Sequence, residues 1–289
     1  MSAGWERVLW KKQAYPDNYI PPSFLSSLRR NTNFRPYTYW PLVLASCAIS
    51  QHISAIFVFL VTFSHLYDES WDPRILVWVS ICMFLTGFAI WELFECFMFG
   101  YNVDKEHRSK TLKSSILVFL ALLSLSPVLR TLSASTSSDS IWALAACLFI
   151  LNIVLADFDP ARDGRLGRER LTSIFSMNAA VSASVVLASR LQDDISVFAL
   201  MLFSIQMFTL LPILRSRLSL LSILPRAILT LCFFSISIYL TSEVSQLVTN
   251  IQIILIGFVT FGAPAALVWA QKFKNEIRGP WDVAVPQVR

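Results

Sequence analysis

Apolar residues in this chain come in long blocks, without the three-and-four spacing of a surface helix or the alternation of a half-buried strand. Eight blocks stand out: Pro41 to Leu66, Ile75 to Phe99, Leu112 to Leu129, Ile141 to Ala156, Leu171 to Ser189, Ile195 to Leu214, Ala227 to Ser242 and Leu247 to Ala270. They hold 16 to 26 residues each, and about 20 residues of helix cross a hydrocarbon core roughly 30 Å thick. Each block therefore predicts a membrane-spanning helix. The fourth and seventh are the shortest, and the seventh has room to begin at Leu218 with a kink at Pro225. No block shows the dyad repeat of a membrane barrel. The predicted fold class is all-α: a polytopic transmembrane helical bundle of about eight helices. An N-terminal arm (1–40) precedes the bundle (41–270), and a short tail (271–289) follows it.

Composition agrees with a bilayer environment. Hydrophobic residues make up 55% of the 289 and charged ones only 15%, against about 25% charged in an ordinary soluble domain. The chain has too few polar groups to clothe a globule and too many bulky apolar ones to be disordered. The net charge of +5 is unevenly spread. Of 24 Lys and Arg residues, 21 fall in the arm, the even-numbered loops and the tail. Only Arg74, Arg130 and Arg190 fall in the odd-numbered loops. By the positive-inside rule this sorting predicts that both termini are cytosolic.

Little in the sequence suggests chemistry. The five cysteines lie in apolar blocks without a CxxC pair, and the three histidines are scattered, so neither a metal nor a cofactor is expected. No Gly-rich phosphate loop or nucleophile elbow occurs. No cleavable signal peptide is expected in the charged, Pro-rich first 40 residues, and no Asn-x-Ser/Thr acceptor is present. The arm does hold Trp5-Glu6-Arg7-Val8-Leu9-Trp10-Lys11-Lys12, whose apolar residues share one helical face. That segment suits either the headgroup layer or a partner subunit.

Three intramembrane features are candidates for contact. Glu92 and Glu95 share a face of the second helix, about 7 and 12 Å from its midpoint toward the cytosol. A charge at Glu92's depth is expensive, so the pair is a candidate for a lipid headgroup or a partner's cation. The fifth helix carries Asn178, Ser182 and Ser189 beside the small residues Ala179 and Ala183, which suit close helix packing. Asp157-Phe158-Asp159 opens the fourth loop in an acid-x-acid pattern that many nucleotide-sugar transferases use for a metal, but without a nucleotide-binding domain around it.

A family resemblance joins these pieces. Trp5 to Tyr19 (WERVLWKKQAYPDNY), Ser126 to Leu132 (SPVLRTL) with Ser138-Asp139, Asp157, Ser176 to Ala179 (SMNA), Leu187 to Leu191 (LASRL) and Gly279 to Asp282 (GPWD) together resemble the class C subunit, PIG-C, of the phosphatidylinositol N-acetylglucosaminyltransferase complex. The motifs follow the family's order from residue 5 to 282. The chain departs from the family pattern in its second acid, Asp159, and in a long basic fourth loop, Arg162 to Arg170.

The resemblance implies a non-catalytic multi-pass subunit of the endoplasmic reticulum membrane. Its complex transfers GlcNAc from UDP-GlcNAc to phosphatidylinositol, the first step of GPI-anchor biosynthesis. The implied partners are a separate class A catalytic subunit (PIG-A), subunits of the PIG-H, PIG-P, PIG-Q and PIG-Y types, phosphatidylinositol and bilayer lipids, and no nucleic acid. Glu92, Glu95, Arg130, Asp139, Asp157, Asn178 and Arg190 are then the expected lipid- or partner-contacting residues. Trp5, Trp10, Asp17, Asn18, Tyr19 and Trp281 are the expected docking residues. Two rival functions are a stand-alone multi-pass transporter and an integral-membrane lipid-modifying enzyme. The first lacks visibly related halves, and the second would have only Glu92, Glu95 and Asp157 as candidate acids.

Overall fold

The computed structural model describes residues 12, 14–16, 19, 36–99, 105–132, 136–158, 171–218 and 223–275. Among them the regular structure is all helical. Each apolar block becomes helix: α1 (Tyr39–Tyr67), α2 (Pro73–Phe99), α3 (Lys105–Thr131), α4 (Ser138–Leu155) and α5 (Leu171–Ala188). The sixth block forms α6 (Asp194–Ile205), a π-helical turn (Gln206–Leu210) and α7 (Leu211–Leu218). The seventh is α8 (Ile223–Val244); the eighth is α9 (Gln246–Gly257), a second π-helical turn (Phe258–Gly262), α10 (Ala263–Ala270) and the short α11 (Lys272–Asn275).

Seven spans among the described residues are long and apolar enough to cross a bilayer: α1, α2, α3, α4, α6–α7, α8 and α9–α10. The described apolar stretch of α5, Ile174–Ala188, is shorter. The described part of α8 begins at Ile223, four residues ahead of the block's Ala227, and includes Pro225; the segment 219–222, on which the expected early start near Leu218 depends, lies outside the described residues.

The chain divides into two compact units, Met1–Val43 with Phe261–Arg289, and Leu44–Thr260. In the first, the Tyr37 backbone N–H donates to Gln271 Oε1 at 2.7 Å and Gln271 Nε2 returns a bond to Tyr37 O at 3.1 Å. Lys272 Nζ lies 4.6 Å from the Trp269 ring centroid and 5.0 Å from that of Phe273, an aromatic and cationic grouping of the kind found where hydrocarbon meets water.

The second unit is organised around α1 and α6, the two helices most enclosed by protein. From Ser50 to Ile56 every residue of α1 is buried, and Ser196 to Ser204 are all buried in α6. A helix apolar and enclosed all round belongs at a core. Phe59 of α1 occupies that core, with Phe208 at 5.3 Å, Phe149 at 5.8 Å and Phe203 at 6.5 Å between ring centroids. Around it, α6 packs on α2, α3 and α5, while α4 and α5 form the most intimate pair. Ala180 and Ala183 are fully buried in α5 because their small side chains let the backbones approach. The outer helices turn Leu117, Leu123, Val154, Leu231 and Ile254 outward, a surface suited to lipid and not to water.

Pro127 and Pro264, inside the spans, each leave a carbonyl that a hydroxyl takes up. Pro127 offers no N–H to the carbonyl four residues back, Leu123 O, which accepts the Ser126 hydroxyl at 3.0 Å. Pro264 leaves the Thr260 carbonyl equally open, and the Ser46 hydroxyl of α1 donates to that oxygen at 3.1 Å. Both π-helical turns end two residues before a proline, Pro212 or Pro264. The wider turn relieves the clash between a proline ring and the preceding carbonyl.

Candidate functional site

Helix α1 presents polar side chains in several directions, and distant helices receive them. Ser50 shares a 2.7 Å hydroxyl bond with Thr260. Gln51 Nε2 donates to Thr230 Oγ1 of α8 at 2.7 Å. Ser237 of α8 donates to Ser54 O, and Gln252 of α9 donates to the Ser237 hydroxyl. A membrane interior offers these groups no water, so each is held by a partner helix.

The most connected group lies near the end of the bundle where α4 finishes and α5 begins. Ser176 O of α5 can only accept, so the Asn152 atom 2.9 Å away must be its amide nitrogen, Nδ2. The same nitrogen is 2.9 Å from the Ser176 hydroxyl, which itself donates to Asn152 O at 2.8 Å. Asn152 Oδ1 therefore faces His52 Nε2, 2.7 Å away, and that ring nitrogen carries the proton. All three side chains are buried. One interlocked unit thus fixes α1, α4 and α5 together.

Just past α4, Phe158 packs edge-on against the His52 ring at 5.6 Å between centroids. Arg215 of α7 lies over that Phe158 ring, its guanidinium carbon 5.5 Å from the centroid. Arg215 Nη1 donates to Ala48 O of α1 at 3.0 Å. Among the described residues no carboxylate pairs with Arg215. The arrangement is a rigid aromatic and polar wall carrying one guanidinium. It can hold an anion or a hydroxylated headgroup, and among the described residues it pairs no nucleophile with a base. No group of three His, Cys, Asp or Glu is placed to hold a metal among the described residues.

The expected contact residues separate into four places. Glu92 is half-buried near the end of α2, while Glu95 belongs to the last turns of that helix with its side chain outside the described residues. Asp157 is half-buried beside Phe158 and so adjoins the wall. Arg130, Asp139 and Arg190 lie at the opposite end of the bundle. There Arg130 Nη1 donates to Gln192 O at 3.0 Å and pairs with Asp194 at 3.2 Å, and Arg190 donates to Thr136 O. These contacts tie the α3–α4 and α5–α6 connections together. Asp139 is exposed in the first turn of α4, where a negative charge favours the helix dipole. Asn178 faces outward from α5, as does Ser182, whereas Ala179 and Ala183 face the core.

Of the expected docking residues, Tyr19 is exposed, its N–H bonded to Pro16 O at 2.9 Å and its ring stacked on Tyr15 at 4.5 Å. Trp5, Trp10, Asp17, Asn18 and Trp281 lie outside the described residues. Sequence reading did not assemble His52, Asn152 and Arg215. His52 and Asn152 had one advance signal, being polar inside apolar blocks, while Arg215 read as a cation of the sixth loop.

The fold and site define a multi-pass helical membrane protein whose polar groups mostly join helices. A family profile described as Phosphatidylinositol N-acetylglucosaminyltransferase, GPI2, matches residues 5–282. The chain belongs to this GPI2 family. It is 37% identical to the phosphatidylinositol N-acetylglucosaminyltransferase GPI2 subunit of Schizosaccharomyces pombe, over 98% of this chain and 87% of that one. With the class C subunit of human phosphatidylinositol N-acetylglucosaminyltransferase it shares 30% identity over 97% of this chain and 92% of the other. The Saccharomyces cerevisiae GPI2 subunit is 31% identical over 72% of this chain and 71% of its own length. No solved structure matches the chain.

Proposed function

We propose that this chain is a non-catalytic membrane subunit of the complex that transfers GlcNAc from UDP-GlcNAc to phosphatidylinositol, the opening reaction of GPI-anchor biosynthesis. The observation that carries the proposal is the family match over residues 5–282, almost the whole chain. The relatives above are named as subunits of that transferase, which favours this reading over a transporter or a self-sufficient lipid-modifying enzyme.

Under this reading a separate class A chain performs the transfer. PIG-A, PIG-H, PIG-P, PIG-Q and PIG-Y types assemble around this one in the endoplasmic reticulum membrane. Both termini face the cytosol, consistent with 21 of 24 cations lying in the segments assigned there. Glu92, Glu95 and Asp157, at the cytosolic end, meet lipid or a partner. Trp5, Trp10, Asp17, Asn18, Tyr19 and Trp281 serve docking. Arg130, Asp139 and Arg190 act on the lumenal side, where the arginines brace connections.

Microsomes lacking this chain, assayed for GlcNAc-phosphatidylinositol and rescued by wild type or Asp157→Ala, test the proposal. The expected result is no product without the chain and product restored by both forms. Normal product in its absence overturns the assignment. An assembled but inactive Asp157→Ala complex would instead favour direct catalysis by this chain.

A further inference from the structure

We propose that Arg215 holds the phosphate of an anionic phospholipid drawn from the cytosolic leaflet, with the Phe158 ring as the wall of the site. The proposal deepens the function above and rests on it for the lipid's identity, phosphatidylinositol.

Three observations converge on this guanidinium. The first is depth. Arg215 closes the apolar span that begins at Asp194, yet it hydrogen-bonds the carbonyl of Ala48, nine residues into α1 and about 13 Å along that helix. A cation meant only for sorting would extend into water. Here the side chain turns back along the protein, where an uncompensated charge is costly.

The second is the lack of a counter-ion among the described residues. Asp194 pairs with Arg130 at the far end of the bundle, but no described carboxylate pairs with Arg215. One of its five N–H groups is committed to Ala48 O, which leaves the fork able to grip a phosphate through two parallel bonds. The membrane's own anions nearest to it are lipid phosphates of the headgroup layer.

The third is rigidity. The guanidinium carbon lies over the Phe158 ring, Phe158 packs edge-on against His52, and His52 is held by Asn152, which is itself bonded to Ser176. A surface arginine attracting lipid through diffuse charge needs no such chain of supports. A preorganised donor does, because its ordering is complete before the ligand arrives.

The test uses the complex purified with this chain into phosphatidylcholine nanodiscs containing a small fraction of phosphatidylinositol, with retained lipid measured by mass spectrometry. Wild type should retain phosphatidylinositol over phosphatidylcholine. Arg215→Gln should lose this enrichment by about tenfold, the scale of one lost charge-assisted bond. Lys113→Gln, which removes an exposed cation from the same side, should retain it. Equal retention by Arg215→Gln and wild type overturns the proposal, as does equal loss in both variants, which would mean diffuse attraction. Inorganic phosphate or UDP abolishing the enrichment at millimolar concentration would assign the site to a soluble phosphate and overturn the lipid. If Arg215→Gln does not assemble, Arg215→Lys decides: a point charge cannot form the fork, so a drop of about threefold is expected and full retention overturns the proposal. Should no further chain be purified with this one, the proposed function fails, and lipid retention by the chain alone still decides this one.

Discussion

Replacing Asn152 with leucine tests whether the interlock of α1, α4 and α5 is an energetic unit. The side chain accepts one bond from His52 and donates to Ser176. Ser176 loses little, because its hydroxyl still has Asn152 O and its carbonyl sits within a helix. What Asn152→Leu strands is the His52 Nε2–H. A buried donor without a partner costs about 1–3 kcal/mol, whereas interhelical bonds in membranes average only about 0.6 and reach about 1.7 kcal/mol. The unfolded chain in a bilayer finds substitute partners, so the lower scale limits the effect to about 1–2 kcal/mol. His52→Leu strands Asn152 Oδ1 and should cost slightly less. The double variant strands neither group and should fall short of the sum by about 1 kcal/mol. SDS titration of the detergent-purified chain, followed by tryptophan fluorescence, measures all four forms. Additivity within about 0.3 kcal/mol would refute the coupling.

Two other outcomes follow from the same accounting of polar groups and charges. Ser126→Ala leaves Leu123 O open beneath Pro127 and should destabilise the chain by about 1 kcal/mol, while Ser126→Ala with Pro127→Ala should recover most of this in the same titration. For sidedness, a glycosylation acceptor inserted near Ser135 should be glycosylated in microsomes and one near Lys105 should not; the reverse pattern would invert the proposed orientation.

Helix existence was legible because it depends on local chemistry. Each of the eight apolar blocks carries its own helix, seven of them long enough among the described residues to span, and Pro41 to Leu66 differs from Tyr39–Tyr67 by only a few residues at its ends. The π-helical turns were less visible. Pro212 and Pro264 marked their neighbourhoods, but a proline equally permits the local hydroxyl repair seen at Pro127. The wall at Arg215 was not legible. Arg215 and Ala48 are 167 residues apart, and His52 and Asn152 are 100 apart, so no window of sequence contains the pair. Arg215 also read as one more cation in a basic loop. Arg130 and Arg190 were the converse case: as exceptions to the charge sorting they drew notice, and each is bonded to a backbone carbonyl of a neighbouring connection.

The polar face of α1 also sets a schedule for biogenesis. Gln51 finds its partner 179 residues later in the chain and Ser50 after 210. At about 5–20 residues per second of synthesis, an early helix waits roughly ten to forty seconds before those groups can be satisfied. During that interval it is a poor lipid-facing helix. Its newborn amides and hydroxyls need shelter from the insertion machinery or from neighbouring chains, so the vulnerable moment for this protein comes before its last two spans have left the ribosome.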